Sequence, residues 1–317
     1  MAVYRDIRDI NFEKTVVTVG SFDGVHSGHR LLLQRVVDIA AQNHLKSVVF
    51  TFWPHPRHVL GAAALQMPPN EVPMLLNTLD EKITLLNQSG INDIIVFPFD
   101  KVLSQMSASE FINEIIIGKL KTRYLVVGKD HHFGNKRMGS VHHLPDFTSK
   151  SDLLIDVVDL KNMKTPDGKI SSSEIRKVLQ NGDLNLANEM LGYEYMISGK
   201  VIAGRRIGRT IGFPTANIET PDYKLLPKEG VYRVKVKDFD KTGMLYIGKR
   251  PMLKQEDKTV HVEVNIFDFD KQIYGQEIRL VLTHHIRDNT IFENIDQLAE
   301  QLHRDKQKTI SLSTFTV

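Results

Sequence analysis

The chain has 317 residues, a formal net charge of +3, 41% hydrophobic and 25% charged residues, and no cysteine. That length provides for two domains or one large one, with ample core in either case. The missing thiols exclude disulfides and thiolate chemistry, the weak net charge does not mark a nucleic-acid protein, and no apolar run approaches membrane-spanning length.

The amino-terminal stretch carries Arg5, Asp6, Arg8 and Asp9 where a signal peptide needs an apolar core. The expectation is a cytoplasmic protein, monomer or weak homo-oligomer, without a nucleic-acid or membrane partner. Thr15 to Arg30 reads as a strand, a glycine-marked turn and a helix start. Val16, Val17 and Val19 suit a strand covered on both faces. Gly20 and Gly24 allow a tight turn and close approach to a ligand. From about Ser27 the period is helical, and over Arg30 to Leu45 residues Leu32, Leu33, Val36, Val37 and Ala40 form the apolar face. His26 and His29 are three apart at the mouth of that helix. Free backbone N–H groups, the helix dipole and two imidazoles favour an anion there. A zinc site, a fortuitous cap and ordinary loop histidines are the alternatives.

Ser47 to Phe52 is a second buried strand, closed by Trp53-Pro-His-Pro56, so His55 is a candidate for the ligand side. A helix follows over Thr78–Gln88 with a stripe of Leu79, Ile83 and Leu86, then a strand Ile94–Phe97, a helix around Ser109–Leu120 and a strand Tyr124–Val127. Alternation of this kind predicts a mostly parallel α/β sheet. Gly128 to Gly134 leaves the last strand as a loop suited to a planar ligand, and the histidines 131, 132, 142 and 143 look metal-like by count alone. After a strand over Leu153–Val158, Ser171 and Glu174 make a capping-box pattern that opens another helix. Arg176 near that helix start conflicts with the dipole, and a bound anion would remove the conflict.

From Tyr195 the period changes. Tyr232–Lys237 and Val260–Ile266 alternate as half-exposed strands, and Ile197–Ile202, Met244–Ile247 and Glu277–Leu282 are further strands. Lys241-Thr-Gly243 and Tyr274-Gly275 read as turns, Pro214 to Asn217 as a loop, and Ile295–Asp305 as a closing helix with loose residues after Lys306. A separate antiparallel barrel or sandwich is predicted, with the boundary near Gly192: domains 1–192 and 193–317.

Gly20-Ser-Phe-Asp-Gly-Val-His-Ser-Gly-His29, with Ile170-Ser-Ser-Ser-Glu-Ile-Arg176, resembles the nucleotidyltransferases that carry a His-x-Gly-His motif. Gly208-Arg-Thr-Ile-Gly-Phe-Pro-Thr-Ala-Asn-Ile218 resembles the riboflavin kinase signature. Together they resemble the bacterial bifunctional riboflavin kinase/FMN adenylyltransferase family over almost the whole chain. The resemblance implies a Rossmann-like α/β domain that converts FMN and ATP to FAD and pyrophosphate, and a β-barrel domain that phosphorylates riboflavin with ATP. It implies that Gly20, Phe22, Asp23, Gly24, His26, Gly28, His29, Ser172, Ser173 and Arg176 handle ATP in the first domain. In the second domain, Gly208, Gly212, Pro214, Thr215 and Asn217 would do so, with Thr215 and Asn217 also holding Mg²⁺. Glu263 matches the kinase base, and His55, Asp130, Phe133 and Arg287 fall to the flavin. Departures from the family pattern occur at His131, Tyr246, Met252 and Asn289, chiefly in the kinase half. An adenylyltransferase without kinase activity and a non-catalytic flavin- or RNA-binding regulator are the competing readings. An aminoacyl-tRNA synthetase is disfavoured, because Asn135-Lys-Arg-Met-Gly139 is not its lysine-rich signature.

Overall fold

The computed structural model describes residues 2–64, 72–129, 132–133, 139–140, 151–159, 164–165, 168–204, 207–249 and 259–312. Packing divides the chain into two units: Met1–Met74 with Lys82–Ile170, and Leu75–Glu81 with Ser171–Val317.

The first unit is built on strands β1 (Ala2–Tyr4), β2 (Thr15–Val19), β3 (Lys46–Trp53), β4 (Asp93–Pro98), β5 (Thr122–Gly128) and β6 (Leu154–Val158). They form one parallel sheet in the order β1-β4-β3-β2-β5-β6. Every residue of β2, its three valines and two threonines alike, is buried, as fits a central strand covered on both faces. Its helices include α1 (Ser27–Gln42), α2 (Pro56–Ala64) and, from Lys82 on, α3 (Leu79–Asn87), and Phe111–Lys119 is a π-helix. The sequence shows that last helix but not its winding. Leu120 N–H reaches back to Ile115 O at 2.9 Å, and Gly118 leaves room for Asn113 O, which a Cβ would meet at 3.0 Å. Phe111, Ile112, Ile115 and Ile116 of this helix pack on Val17, Phe50, Ile95 and Val127 of the sheet. From β2 the chain moves to β3 on one side and returns to β5 on the other. The carboxyl end of β2 is therefore at the point where strand order reverses, where open parallel sheets bind ligands.

The second unit starts with a helical hairpin, α4 (Ser172–Asn181) and α5 (Leu184–Leu191), ended by Gly182 at φ 91° and Gly192 at φ 74°. Strands β7 (Met196–Ile202), β8 (Ala216–Glu219), β9 (Gly230–Val236), β10 (Lys241–Gly248), β11 (His261–Ile266) and β12 (Glu277–Asp288) close into an antiparallel barrel in the order β7-β8-β11-β10-β9-β12. The sandwich alternative is thereby removed. Helix α6 (Ile295–Ser311) continues past the Asp305 end expected from sequence.

Other differences have physical causes. Strand β9 is buried on both faces, not half-exposed: Arg233 points outward, yet its guanidinium donates to Thr309 O of α6 and to Thr283 Oγ1. Lys241–Gly243 begins β10, and the preceding turn holds Asp240 at φ 51°. The expected loop Pro214–Asn217 enters β8 at Ala216. The hairpin expected to end the first domain before Gly192 packs with the barrel. The Asn188 amide accepts from Tyr195 N–H at 2.7 Å and donates to Leu282 O at 3.3 Å. Residues 75–81 join the same unit through Lys224, whose ammonium donates to Leu76 O, Met196 O and Glu81 Oε2 at 2.6–2.8 Å.

Candidate functional site

The turn after β2 is tightly wound. Gly20 N–H donates to Phe50 O at 3.0 Å, and a Cβ on Gly20 would press on the Phe22 ring at 3.1 Å. Phe22 and Val25 both hold left-handed backbone, at φ 47° and 35°, beside Gly24 at φ 85°. For a β-branched residue such as Val25 that conformation stores strain, which persists only where packing over-determines it. Packing does so here: Phe22 is 2% exposed and Val25 1%. Asp23 is buried between them.

His26 caps α1, its Nδ1 accepting from His29 N–H at 3.3 Å. Acceptance at Nδ1 leaves Nε2 as the donor nitrogen of a neutral ring. The two imidazoles stack at 3.6 Å between centroids and 17° between planes, and Phe22 meets His29 edge-on at 5.2 Å. Burial, then the neighbouring His26, then Lys82 hold the His29 pKa well below 6.5, so its ring is neutral at physiological pH. Its Nδ1 is buried with no hydrogen-bond partner among the described residues. Two stacked imidazoles at the start of a sixteen-residue helix, at the positive end of its dipole, make a place suited to a phosphate. Gly28, buried at the second helical position, brings no side chain into it. Among the described residues, no group of three or more His, Asp or Glu is placed to hold a metal ion.

His55 follows β3 and is 5% exposed, its Nδ1 accepting from Arg57 N–H at 3.1 Å. Sequence reasoning missed Lys82, which lies on α3 and is 1% exposed. The stripe of Leu79, Ile83 and Leu86 leaves Lys82 on its flank, and only the tertiary structure shows that this flank is buried. Asp130, His131, His142 and His143 lie outside the described residues, and Phe133 is described by its backbone alone, which pairs with Gly139.

In the second unit, Ser171 caps α4 by accepting from Glu174 N–H at 3.3 Å. The Glu174 carboxylate pairs with Lys177 at 2.8 Å. Ser172 and Ser173 are the first helical residues, and Arg176, one turn on, is 7% exposed.

The barrel forms its own cluster. Thr215 Oγ1 donates to Glu263 Oε2 at 3.2 Å, and Asn217 is the cross-strand partner of Glu263. The loop into β8 is held by Phe213 N–H donating to Gly208 O at 2.8 Å and by Asn265 Nδ2 donating to Pro214 O at 2.6 Å. Asn265 was missed, although the two-residue strand period puts it on the face of Glu263. Glycine is required at two points. A Cβ on Gly208 would lie 2.2 Å from Phe213 O, and one on Gly204 would lie 2.0 Å from Asn217 Nδ2. Gly212 turns the loop at φ 80°.

Tyr246 stands opposite Glu263 on β10, its hydroxyl donating to Lys249 O at 2.5 Å. Burial, chiefly, raises its pKa. Arg287 is bound through its guanidinium to Asp305 of α6 at 2.9 Å. That acid, buried in the last helix, was also missed, because pairing across a barrel leaves no local sequence signal. Arg250 and Met252 lie outside the described residues.

The stacked histidines at a helix start in the parallel-sheet unit and the Thr215–Glu263 pair in the barrel are two separate polar clusters, each of a kind suited to phosphate chemistry. Residues 9–174 match the FAD synthetase family and residues 191–312 the riboflavin kinase family. A protein of Bacillus subtilis described as bifunctional riboflavin kinase/FMN adenylyltransferase is 37% identical over 94% of this chain and 92% of its own length. Proteins of the same description from Listeria monocytogenes and Escherichia coli are 35% and 32% identical, over 95% and 93% of this chain and 92% and 91% of their own lengths. A crystal structure from Streptococcus pneumoniae, described as a macrolide-efflux protein, superposes with a TM-score of 0.83 at 29% identity, covering 98% of this chain and 99% of that one. The chain belongs to the bifunctional riboflavin kinase/FMN adenylyltransferase family.

Proposed function

We propose that the chain makes FAD in two steps at two separate stations, the kinase station in residues 193–317 and the adenylylation station in residues 1–192. One observation carries this reading: the two family matches fall on a parallel-sheet unit and a closed barrel, each with its own phosphate-suited cluster.

At the barrel, the terminal ribityl hydroxyl of riboflavin attacks the γ-phosphorus of ATP. Its proton passes to Glu263, the new O–P bond forms, and the bond to the ADP oxygen breaks. The Thr215 hydroxyl, already donating to Glu263 Oε2 at 3.2 Å, orients the carboxylate that takes the proton. The Thr215 hydroxyl and Asn217 amide oxygen are hard donors that suit Mg²⁺, which neutralises phosphate charge when bound. Gly208, Gly212 and Pro214 shape the loop under the nucleotide, and Arg287 reaches the flavin side. Tyr246 across from Glu263 favours a second reading, in which the kinase step is slow and adenylylation dominates.

At the other station, an FMN phosphate oxygen attacks the α-phosphorus of ATP. The Pα–O bond to the β-phosphate breaks and its electron pair leaves on pyrophosphate. The nucleophile is already an anion, so positioning and charge stabilisation suffice. His26 and His29 donate to phosphate oxygens at the α1 start, with Gly20, Phe22, Asp23, Gly24 and Gly28 forming the turn. Ser172, Ser173 and Arg176 supply the further phosphate clamp, and His55, Asp130 and Phe133 contact the flavin. No helix among the described residues is long and apolar enough to cross a membrane, and the enzyme works in the cytoplasm on small molecules, as a monomer or weak homo-oligomer.

The test is to incubate the protein with ATP, Mg²⁺ and either riboflavin or FMN, and to resolve the flavins by chromatography. FMN and FAD from riboflavin are expected. FAD from FMN alone would select the second reading, and binding without product would overturn both.

A further inference from the structure

We propose that Lys82 is a catalytic residue of the adenylylation station, its ammonium contacting a phosphate oxygen of ATP or of FMN. The inference rests on the assignment of adenylyl transfer to the first unit.

Among the described residues, two lysines are buried, Lys82 and Lys224, and their environments are opposite. Lys224 spends its protons on Leu76 O, Met196 O and the Glu81 carboxylate, as a lysine kept for folding must. The Lys82 Nζ, in a side chain 1% exposed, has no hydrogen-bond partner among the described residues. It is 5.4 Å from the ring centroid of Trp53, at the carboxyl end of β3, and within electrostatic range of Asp23 and His29 in the turn after β2. Asp23 and His29 belong to the turn proposed above to handle phosphate. Its position is also unfavourable for a cation, since residue 82 lies in the opening turn of α3, near the positive end of the dipole. Burial draws its pKa down to about 8, with Asp23 partly restoring it. A phosphate oxygen would supply the missing acceptor and add negative charge to that of Asp23. During transfer, such an ammonium stabilises the charge that builds as pyrophosphate departs or as the FMN oxygen is aligned.

The test uses the full chain with Lys82→Met, which keeps the length and removes the charge, and with Lys82→Arg. Five quantities are read: FAD formed from FMN, FMN formed from riboflavin, Tm without ligand, and the Tm shifts given by pyrophosphate and by FMN. Lys82→Met should keep FMN formation and hold Tm at or above that of the parent protein, because an unpaired buried charge is removed. It should lose FAD formation by about a hundredfold or more, with partial rescue by Lys82→Arg. Loss of the pyrophosphate shift would assign the contact to the nucleotide, and loss of the FMN shift would assign it to the acceptor. FAD formation near the parent rate in Lys82→Met, or a lowered Tm with both ligand shifts intact, would overturn the proposal. A parent protein that forms no FAD from FMN would instead overturn the adenylylation reading.

Discussion

His29 is the side chain on which the proposed adenylylation station is most directly tested. It is clamped between the His26 ring at 3.6 Å and Phe22 at 5.2 Å, with a buried Nδ1 awaiting a partner. His29→Ala should lower FAD formation about a hundredfold while leaving FMN formation intact, since one transition-state donor is lost. Neutrality also has a pH consequence. The folded pKa lies well below 6.5, so as pH falls below that value the unfolded chain takes up a proton that the folded unit refuses. Stability of the first unit should therefore be full above about pH 6.5 and decline below it. Urea unfolding at pH 7.5 and 5.5 measures this, and the decline should shrink in His29→Gln. At the barrel, Glu263→Gln should cut riboflavin phosphorylation by roughly 10²–10⁴ with FAD synthesis from FMN unchanged. His26 and His29 stand out in the sequence because they are three apart at a helix start, whereas the role of Glu263 comes from the family resemblance, the strand alternation only turning it off the apolar face. Lys82, Asn265 and Asp305 are not, since what matters about each is a partner, or a missing partner, set by tertiary packing.

Elements place these side chains through a few buried polar ties. Lys224 and Glu81 pair at 2.6 Å with both side chains essentially sealed from water, and Glu81 also accepts from Thr78 N–H and Ser198 N–H. Lys224→Met should destabilise the second unit by about 3–5 kcal/mol, because it leaves the Glu81 carboxylate buried without its counter-charge. Asp305→Asn should act in the same direction, freeing Arg287 from α6. Denaturant midpoints read by tryptophan-independent circular dichroism check both. The periodicity located most strands and helices, because a central parallel strand such as β2 is valine-rich without polar alternation and α1 has a one-sided stripe. It misjudged β9, whose alternating Arg233 and Lys235 look solvent-facing. Barrel closure and α6 cover that side, and Arg233 finds Thr309 O and Thr283 Oγ1 there. The π-helix at Phe111–Lys119 was visible only as a helix, since its winding depends on where one carbonyl finds space.

At the scale of the whole molecule, two units with separate cores carry two successive phosphate transfers, and substrate flows against the order of the chain. The barrel makes the FMN that the parallel-sheet unit consumes. Composition and the change of period near Tyr195 were enough to expect two domains, but the packing boundary lies between Ile170 and Ser171. The helical hairpin gives no periodic hint of which neighbour it packs against, so its assignment needed the Asn188 contacts with Tyr195 and Leu282. The claim of two independent stations is tested most directly by following flavins over time from riboflavin, ATP and Mg²⁺ with His29→Ala and Asn217→Ala proteins. FMN should accumulate without FAD in the first. The second should leave riboflavin unconverted yet form FAD once FMN is supplied. Loss of both products in either variant, with the protein still folded, would contradict the two-station account.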